Sequence, residues 1–575
     1  MSFSKFLAPR LGSRISDSSR RWLSITRCAQ SEEHTVKSDI KSVQYPREHL
    51  TDFIWKRSVQ QWPQKTALVN GLLGQEYTYQ ESYDRVQNVA TALHQMGVRK
   101  GEVMALFLPN LVDYPIIIGG ANRVGMVVTT VNPTYTPSEV ARQLTMSKAK
   151  ILVTMAPFLV TAKEALTKVE GGSDITIIVV DGDDHRSDQE LSYCKLLVQS
   201  RCQSFPDDAD SFNFSNDIVT LPYSSGTTGP PKGVMLSHEN IVSNIVQSVY
   251  PDELEFLKFA TEEFQPSTVC VLPLFHAFGL AVTTLPTLHV GGKVVLLPSF
   301  DPKTFLKALE DYKASPSFLH FAPPLVGFCA NHPDVKPHHL ESVESVFVGA
   351  APLGKALIDR FLKKAPQVKI REGFGMTELS PVGTITPNKS IVEGSCGLLM
   401  PNTEMKIVDL STGTNLPSGK RGELCIKGPQ VMKGYLDNDK ATAQTIKNGW
   451  LHTGDIAYYD DQHYIYIVDR LKELIKVSGF QVPPAELEDL LRTHPSVLDV
   501  AVIGIPDERR GEVPRAYIVI KPQQALTEEE VHEFVNKQVA EYKRLLGGME
   551  FVEVIPKSAA GKILRKDLVA RFKSQ

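Results

Sequence analysis

Eleven consecutive residues, Tyr223-Ser224-Ser225-Gly226-Thr227-Thr228-Gly229-Pro230-Pro231-Lys232-Gly233, combine hydroxyls, glycines and a single cation directly after the apolar stretch 218–221. Backbone N–H groups, hydroxyls and one lysine on a glycine-rich loop are the donors that wrap anionic oxygens, so this loop is built to hold phosphates. It is not a Walker A loop: the spacing Gly-x-x-x-x-Gly-Lys-Ser/Thr is not met, and Pro230-Pro231 disfavours running straight into a helix. A solvated turn would need only one or two of these residues.

Further along stand Glu372-Gly373-Phe374-Gly375-Met376-Thr377-Glu378, then Thr453-Gly454-Asp455, Asp469-Arg470-Leu471-Lys472-Glu473-Leu474-Ile475-Lys476, and Gly561-Lys562 near the end. An aromatic face, a hydroxyl and a hard carboxylate suit a base, a phosphate and Mg²⁺ respectively. A carboxylate acceptor and a forked guanidinium suit ribose hydroxyls. Taken singly these groups are bland. A Thr-Glu pair is more often a helix start, an Asp in a glycine turn is usually structural, and an Arg between strands usually makes a surface ion pair.

In that order and company, the stretch from Tyr223 to Gly233 closely resembles the phosphate-loop signature of the adenylate-forming superfamily of acyl-CoA synthetases, luciferases and peptide-synthetase adenylation domains. The resemblance spans residues 46–571 and is nearest to coumarate-CoA ligases and luciferase-like acyl-CoA synthetases. It implies a large N-terminal domain and a small mobile C-terminal cap. It also implies that Ser224, Ser225, Gly226, Thr227, Thr228 and Lys232 cradle phosphate, that Gly349, Ala350, Glu372, Gly373 and Phe374 surround the nucleotide, with Phe374 stacking near adenine, that Thr377 touches the α-phosphate, and that Glu378 holds Mg²⁺. Asp455 and Arg470 correspond to the ribose ligands, Lys472 to the hinge of the cap, Lys476 to a lysine near the acyl-adenylate, Ser478 and Gly479 to the CoA-side strand, and Lys562 to the catalytic lysine. Glu372 and Phe374 depart from the usual Gln and Tyr, and Ser478 stands where coumarate ligases usually carry lysine.

The resemblance implies an ATP-dependent acid–CoA ligase that forms acyl-AMP, releases pyrophosphate and passes the acyl group to coenzyme A, with ATP, Mg²⁺ and CoA as its small molecules. Transfer of acyl-AMP to another acceptor, a carrier protein or a luciferase-like oxidation, is the alternative. A non-catalytic binder has no chemical need for Lys562. Pro273-Leu274-Phe275-His276-Ala277-Phe278-Gly279 resembles the acyl-pocket segment, with His276 at the carboxylate entry and counted among the catalytic set; a histidine between apolar residues is otherwise more often a satisfied core residue. The remaining implied lining, Phe278, Val348, Gly349, Ala350, Met376 and Val382, is uncharged, so the expected acid is a medium-chain fatty or aryl acid, with hydroxycinnamates behind.

These groups must be positioned by a chain of 575 residues, 42% hydrophobic and 22% charged, which is ordinary for a globular enzyme and too long for one core. A net charge of -3 gives no basic field for nucleic acid. The seven cysteines, Cys28, Cys194, Cys202, Cys270, Cys329, Cys396 and Cys425, are scattered with no C-x-x-C, which predicts neither a disulfide framework nor a zinc knuckle. His338-His339, with His332 nearby, reads as a solvated pair on a polar loop rather than a metal site. No apolar run reaches membrane-spanning length, since the longest, 115–131, is broken by Asn122 and Arg123. Oligomeric state is not legible.

Apolar β-branched runs at 103–108, 127–131, 151–154, 175–180, 269–272, 294–297 and 343–348 alternate with helical stretches, which predicts an α/β fold with layered, mostly parallel sheets. Short strands at 405–408, 423–427 and 464–468 predict a small β subdomain. An α+β unit follows, with helices at 485–492 and 531–540, the latter opened by a capping box of Thr527 and Glu530. The expected domains are 46–470 and 471–575. Residues 1–35 carry Lys5, Arg10, Arg14, Arg20, Arg21 and Arg27 among many serines, with Phe3, Leu7, Leu11 and Ile15 at helical spacing, a mitochondrial presequence composition. That composition makes the matrix the expected location, with peroxisome or cytoplasm the alternatives, and Lys573-Ser574-Gln575 in place of Ser-Lys-Leu weakens the peroxisome.

Overall fold

In the computed structural model, residues 33–181, 190–199, 212–224, 231–312, 317–478, 480–558 and 561–574 are described. The presequence expected at 1–35 falls almost entirely outside them. The α/β expectation holds, because buried β-branched runs pair in parallel with helices on both faces, the arrangement that lets a strand bury every side chain. Val127–Val131 is buried at all five positions and lies between Val103–Phe107 and Ile218–Thr220. That sheet continues in parallel through Ala149–Thr154, Thr176–Val179 and Glu190–Ser192. At its other edge it turns antiparallel, through Lys232–Ser237 and Tyr223–Ser224.

A second sheet runs Lys369–Glu372, Val343–Val348, Ser317–Phe321, Ser267–Cys270, Lys293–Leu296 and Thr66–Asn70 in parallel, closed by the antiparallel strand Glu76–Thr78. The small β subdomain is antiparallel, with Glu404–Val408, Gly422–Lys427, Trp450–Tyr459 and Ile465–Arg470 side by side. The helices that cover the sheets start where sequence signals place them: Thr78 with Glu81, Thr136 with Glu139 and Ser237 with Asn240 each form a reciprocal cap.

Beyond Arg470 the strands Ile475–Val477, Phe480–Val482, Val497–Asp507 and Gly511–Ile520 form a separate sheet, joined by Met549–Phe551. Period-two alternation sends Val500 and Val502 to one face and Ala501, Ile503 and Ile505 to the other, giving this unit two small cores of its own. The Thr527–Glu530 capping box is present, but the helix it opens spans Glu528–Asn536, shorter than expected. The chain leaves it early through a turn at Glu541–Lys543 that delivers Leu545 to full burial. Among the described residues, no helix is long and apolar enough to cross a membrane.

Candidate active site

Loop ends and strand ends from three of these sheets converge. Ser224 and Lys232 pair across the hairpin that carries the glycine-rich loop, and Lys232 opens a strand rather than a helix, in line with the expectation from Pro230-Pro231. Ser225, Gly226, Thr227 and Thr228 lie outside the described residues. Lys232 Nζ sits 4.7 Å from the centre of the Tyr435 ring, a cation–π contact. Tyr435 pairs with Val234 on the same strand and donates its hydroxyl to Glu378 Oε1 at 2.9 Å. Burial pushes the Tyr435 phenol well above its ordinary range, with Glu378 adding to it, so the phenol stays a donor. Tyr435 thereby links the phosphate hairpin to the expected metal carboxylate. Nothing in the local sequence marks it, because the link is made by strand pairing across two hundred residues.

Thr377 and Glu378 sit in the single-turn helix Thr377–Leu379, with Glu378 buried and its carbonyl fixed by Met432 N–H at 2.9 Å. One Glu378 oxygen is committed to Tyr435; a hard carboxylate with the other free to turn toward phosphate is a fitting ligand for Mg²⁺. Glu372 ends the strand Lys369–Glu372 and accepts a hydrogen bond from Leu353 N–H at 3.1 Å. Burial pushes its carboxyl up to about 7, and Asp489 of the C-terminal unit adds to the rise. Gly373 is obligatory, since a Cβ there would lie 2.5 Å from Phe347 Cζ and 2.7 Å from Thr384 O. Phe374 is buried, its N–H held by Thr384 Oγ1 at 3.0 Å. Gly349 leads into Ala350, held at φ 75°, a left-handed conformation that strains a residue with a Cβ.

Asp455 and Arg470 are direct cross-strand partners, and Arg470 Nε donates to Asp455 Oδ1 at 2.9 Å. Asp455 is 2% exposed and its Oδ2 has no hydrogen-bond partner, a buried acceptor that a ribose hydroxyl would satisfy. Burial raises its carboxyl to about 6, against the opposing pull of Arg470 and Lys562.

Lys562 reaches this cluster from the far end of the chain. Burial holds its ammonium below the usual lysine range and Arg470 adds to this, while Asp455, Glu378 and Glu473 oppose it. Burial, with the Lys562 charge adding to it, lowers His276 to about 4, so the imidazole is neutral at physiological pH. His276 is steadied by Phe278 N–H on its Nδ1 at 3.2 Å and precedes a π-helical turn, Phe278–Thr284. That irregular turn had no signal in the sequence. The lysine loop approaches the main domain through Gly561, at φ 81°, where a Cβ would fall 2.9 Å from Pro324 Cδ.

Arg565 secures the approach. Its guanidinium spans Glu473 Oε2 at 3.1 Å, beside the expected hinge, and Glu488 Oε1 at 2.7 Å. Lys472 is exposed at that hinge. Lys476 is exposed too, its N–H bound to Glu512 Oε2 at 2.8 Å, and Ser478 adopts φ 50° with its N–H on Arg510 O. In this pose, therefore, Lys562 is beside Asp455, Glu378 and Arg470, whereas the side chains of Lys476 and Ser478 are exposed. Gly479 lies outside the described residues.

The arrangement joins the hairpin of the glycine-rich loop, a buried carboxylate at Glu378, a half-satisfied acceptor at Asp455 and a delivered lysine, the set that activation of an acid on a nucleotide would use. Residues 55–436 match the model of the AMP-binding enzyme family, and residues 486–562 that of the AMP-binding enzyme C-terminal domain. 4-Coumarate–CoA ligase 1 of Petroselinum crispum is 39% identical over 552 residues, 95% of this chain and 98% of the relative. The ATP-bound MatB of Rhodopseudomonas palustris superposes with a TM-score of 0.80 at 27% identity, over 91% of this chain and 99% of that one. An anthranilate CoA ligase, AuaEII, in complex with anthranoyl-AMP, gives a TM-score of 0.81 at 26% identity, over 92% and 98%.

Proposed function

This chain belongs to the AMP-binding enzyme family and is an ATP-dependent acid–CoA ligase, and we propose that it activates an aryl acid, with medium-chain fatty acids as the second reading. ATP, Mg²⁺ and CoA are the small molecules of this family's reaction. The observation that carries the proposed mechanism is the convergence of Lys562 with Asp455, Glu378 and neutral His276.

The acid and the triphosphate are both anions, so they meet only where a cation lies between them. In our reading Lys562 bridges a substrate carboxylate oxygen and an α-phosphate oxygen as the carboxylate attacks the α-phosphorus and pyrophosphate leaves. Thr377 and Lys232 donate to phosphate oxygens, and Asp455 and Arg470 fix the ribose. Mg²⁺, when bound, would be held by Glu378 and would neutralise phosphate charge. His276, uncharged, lines the entry without drawing the carboxylate away from Lys562. For the second half-reaction the cap would swing about Lys472, withdrawing Lys562 and bringing in Lys476, Ser478 and Gly479, so that the CoA thiol attacks the acyl carbon and AMP departs.

An aromatic acid is favoured by the shape around Phe278. Its ring packs so close to Gly349 that a Cβ there would be only 3.2 Å away, and it meets Phe347 edge-on at 6.2 Å, which gives the expected lining a flat aromatic wall. The curated relative is named a 4-coumarate–CoA ligase, and a solved neighbour holds anthranoyl-AMP. The second reading rests on the aliphatic lining from Val348, Val382 and Met376, which suits an alkyl chain. A panel of aryl, alkyl and dicarboxylic acids in an AMP-release assay, with mass spectrometry of the product with and without CoA, tests all of this. Exclusive turnover of dicarboxylates would overturn the uncharged-pocket reading, and a product that never contains CoA would overturn thioester formation.

The arginine- and serine-rich composition of residues 1–35 supports delivery to the mitochondrial matrix. Fusing those residues to a fluorescent reporter tests it, and diffuse cytoplasmic signal would reject it.

A further inference from the structure

Away from the nucleotide site, two helices bring three metal-ligating side chains to one point. Glu310 lies in the last turn of the helix Pro302–Asp311, while His338 and His339 occupy the short helix Pro337–Leu340. A single oxygen, Glu310 Oε1, stands 2.9 Å from His338 Nε2 and 3.1 Å from His339 Nε2. The imidazole rings lie 4.2 Å apart and are inclined by 32°, so both Nε2 atoms face the same carboxylate. All three ligand atoms fall within 4.8 Å of one another.

The surroundings prepare the group for more than a hydrogen-bonded trio. His339 Nδ1 lies between the Lys336 N–H, 2.9 Å away, and the Lys336 carbonyl, 3.2 Å away. With the proton on Nε2 the ring is satisfied on both sides, donating to Glu310 and accepting from the Lys336 N–H, whereas the other tautomer leaves the Nε2 lone pair for a cation to take. When Nδ1 carries the proton it donates to the carbonyl and leaves the Nε2 lone pair aimed at the focus, as in histidines that bind metal through one nitrogen and are oriented through the other. Two lysines next to the trio in sequence have other hydrogen-bond partners: Lys307 pairs with Asp311 at 2.7 Å, and Lys336 Nζ donates to Pro333 O at 2.6 Å. The His339 side chain is 8% exposed, against 51% for His338 and 44% for Glu310, so the focus has one buried wall and one side open to water.

The geometry points to a binding site for a borderline divalent cation, Zn²⁺ before others, held by Glu310, His338 and His339 with water in the remaining position. Two imidazoles and one carboxylate suit Zn²⁺ and its first-row neighbours, whereas Mg²⁺ takes oxygen ligands and would stay at the nucleotide. Tetrahedral Zn²⁺ bonds of about 2.0–2.2 Å separate ligand atoms by roughly 3.3 Å, so the two carboxylate–imidazole distances need to open by only a few tenths of an ångström. Glu310, exposed at a helix end, can supply that movement. A bound ion would tie the helix Pro302–Asp311 to the segment at Pro337–Leu340. The sequence reading of His338-His339 as a solvated pair lacked Glu310, which the fold supplies from an upstream helix.

Calorimetric titration of metal-free full-length protein with Zn²⁺, alongside the visible absorption of Co²⁺ added in its place, tests the site. The expected result is one Zn²⁺ per chain and a rise in melting temperature on its addition. Binding should weaken at least about tenfold in Glu310→Gln and in His338→Ala, and the rise should disappear in both. Both positions are exposed, and metal-free melting curves show whether each variant keeps its fold. Ligase activity with Mg²⁺ is expected to be the same in wild type and both variants. The assignment is overturned if wild type takes up no Zn²⁺ saturably, if uptake is unchanged in both variants, or if it is lost in Cys425→Ser, which would move the ion to the Glu423, Cys425 and His452 cluster.

Discussion

Arg470 holds one oxygen of Asp455 at 2.9 Å and leaves the other buried with no partner. An arrangement that satisfies half a carboxylate and strands the rest is costly unless a ligand completes it. Asp455→Asn keeps the size and one acceptor but removes the charge that strengthens both contacts. A hydrogen bond to a charged group contributes about 1.5–3 kcal/mol, so the KM for ATP is expected to rise about tenfold to a hundredfold. Steady-state kinetics at saturating acid, with circular dichroism to check folding, measures this. A KM within twofold of wild type would remove Asp455 from the nucleotide site.

Lys562 is predicted to matter for one half-reaction only. At 4 Å and an effective dielectric near 20, one cation–anion contact is worth about 4 kcal/mol, on the order of a thousandfold in rate. Lys562→Ala should therefore lose most ATP–pyrophosphate exchange while keeping much of the CoA step from supplied acyl-AMP. Equal loss in both assays would show that the lysine supports the fold or both chemistries alike.

Glu372 sets a pH signature. Its carboxyl is raised from 4.5 to about 7, first by burial and then by Asp489. Between those two values the unfolded chain has released this proton and the folded chain retains it, so stability falls as pH rises through that window and is level above it. Gln can accept the same hydrogen bond from Leu353 N–H without ever ionising. Glu372→Gln should therefore match wild type near pH 4.5 and exceed it near pH 8, by roughly 1–3 kcal/mol. Urea unfolding at the two pH values decides it, and a gap that does not change with pH would exclude Glu372 as the source.

What could be read beforehand was local. Val127–Val131 and Val343–Val348 declare themselves as buried strands by composition, and Thr527 with Glu530 declares a helix start. Pro230-Pro231 disfavours running straight into a helix after the glycine-rich loop, and a strand follows. What escaped was made by distant pairing. Tyr435 meets Lys232 and Glu378 only because its strand docks beside Lys232–Ser237. Arg565 finds Glu473 and Glu488 only once the C-terminal unit has folded back on the linker. Ala350 hides its left-handed backbone because alanine is not a residue that advertises one. The shortened helix at Glu528–Asn536 yielded to a tertiary demand, the burial of Leu545.

Gly561 is where the lysine loop touches the main domain, and it is a glycine for two separate reasons. Its φ of 81° is left-handed, and a Cβ would stand 2.9 Å from Pro324 Cδ and 3.0 Å from Pro324 Cγ. The first constraint costs an alanine about 1–2 kcal/mol wherever the cap sits. The second belongs to the pose in which Pro324 faces the loop and Lys562 lies near Asp455, and under the proposed swing of the cap it would be relieved in the CoA step. Gly561→Ala should therefore slow acyl-AMP formation by tenfold or more, at about 1.4 kcal/mol per decade, and spare the CoA step from supplied acyl-AMP. The double variant Gly561→Ala with Pro324→Ala should recover part of the lost rate, since the clash is with the proline ring. Loss of both half-reactions, or no recovery in the double variant, would mean that the backbone conformation alone makes Gly561 necessary.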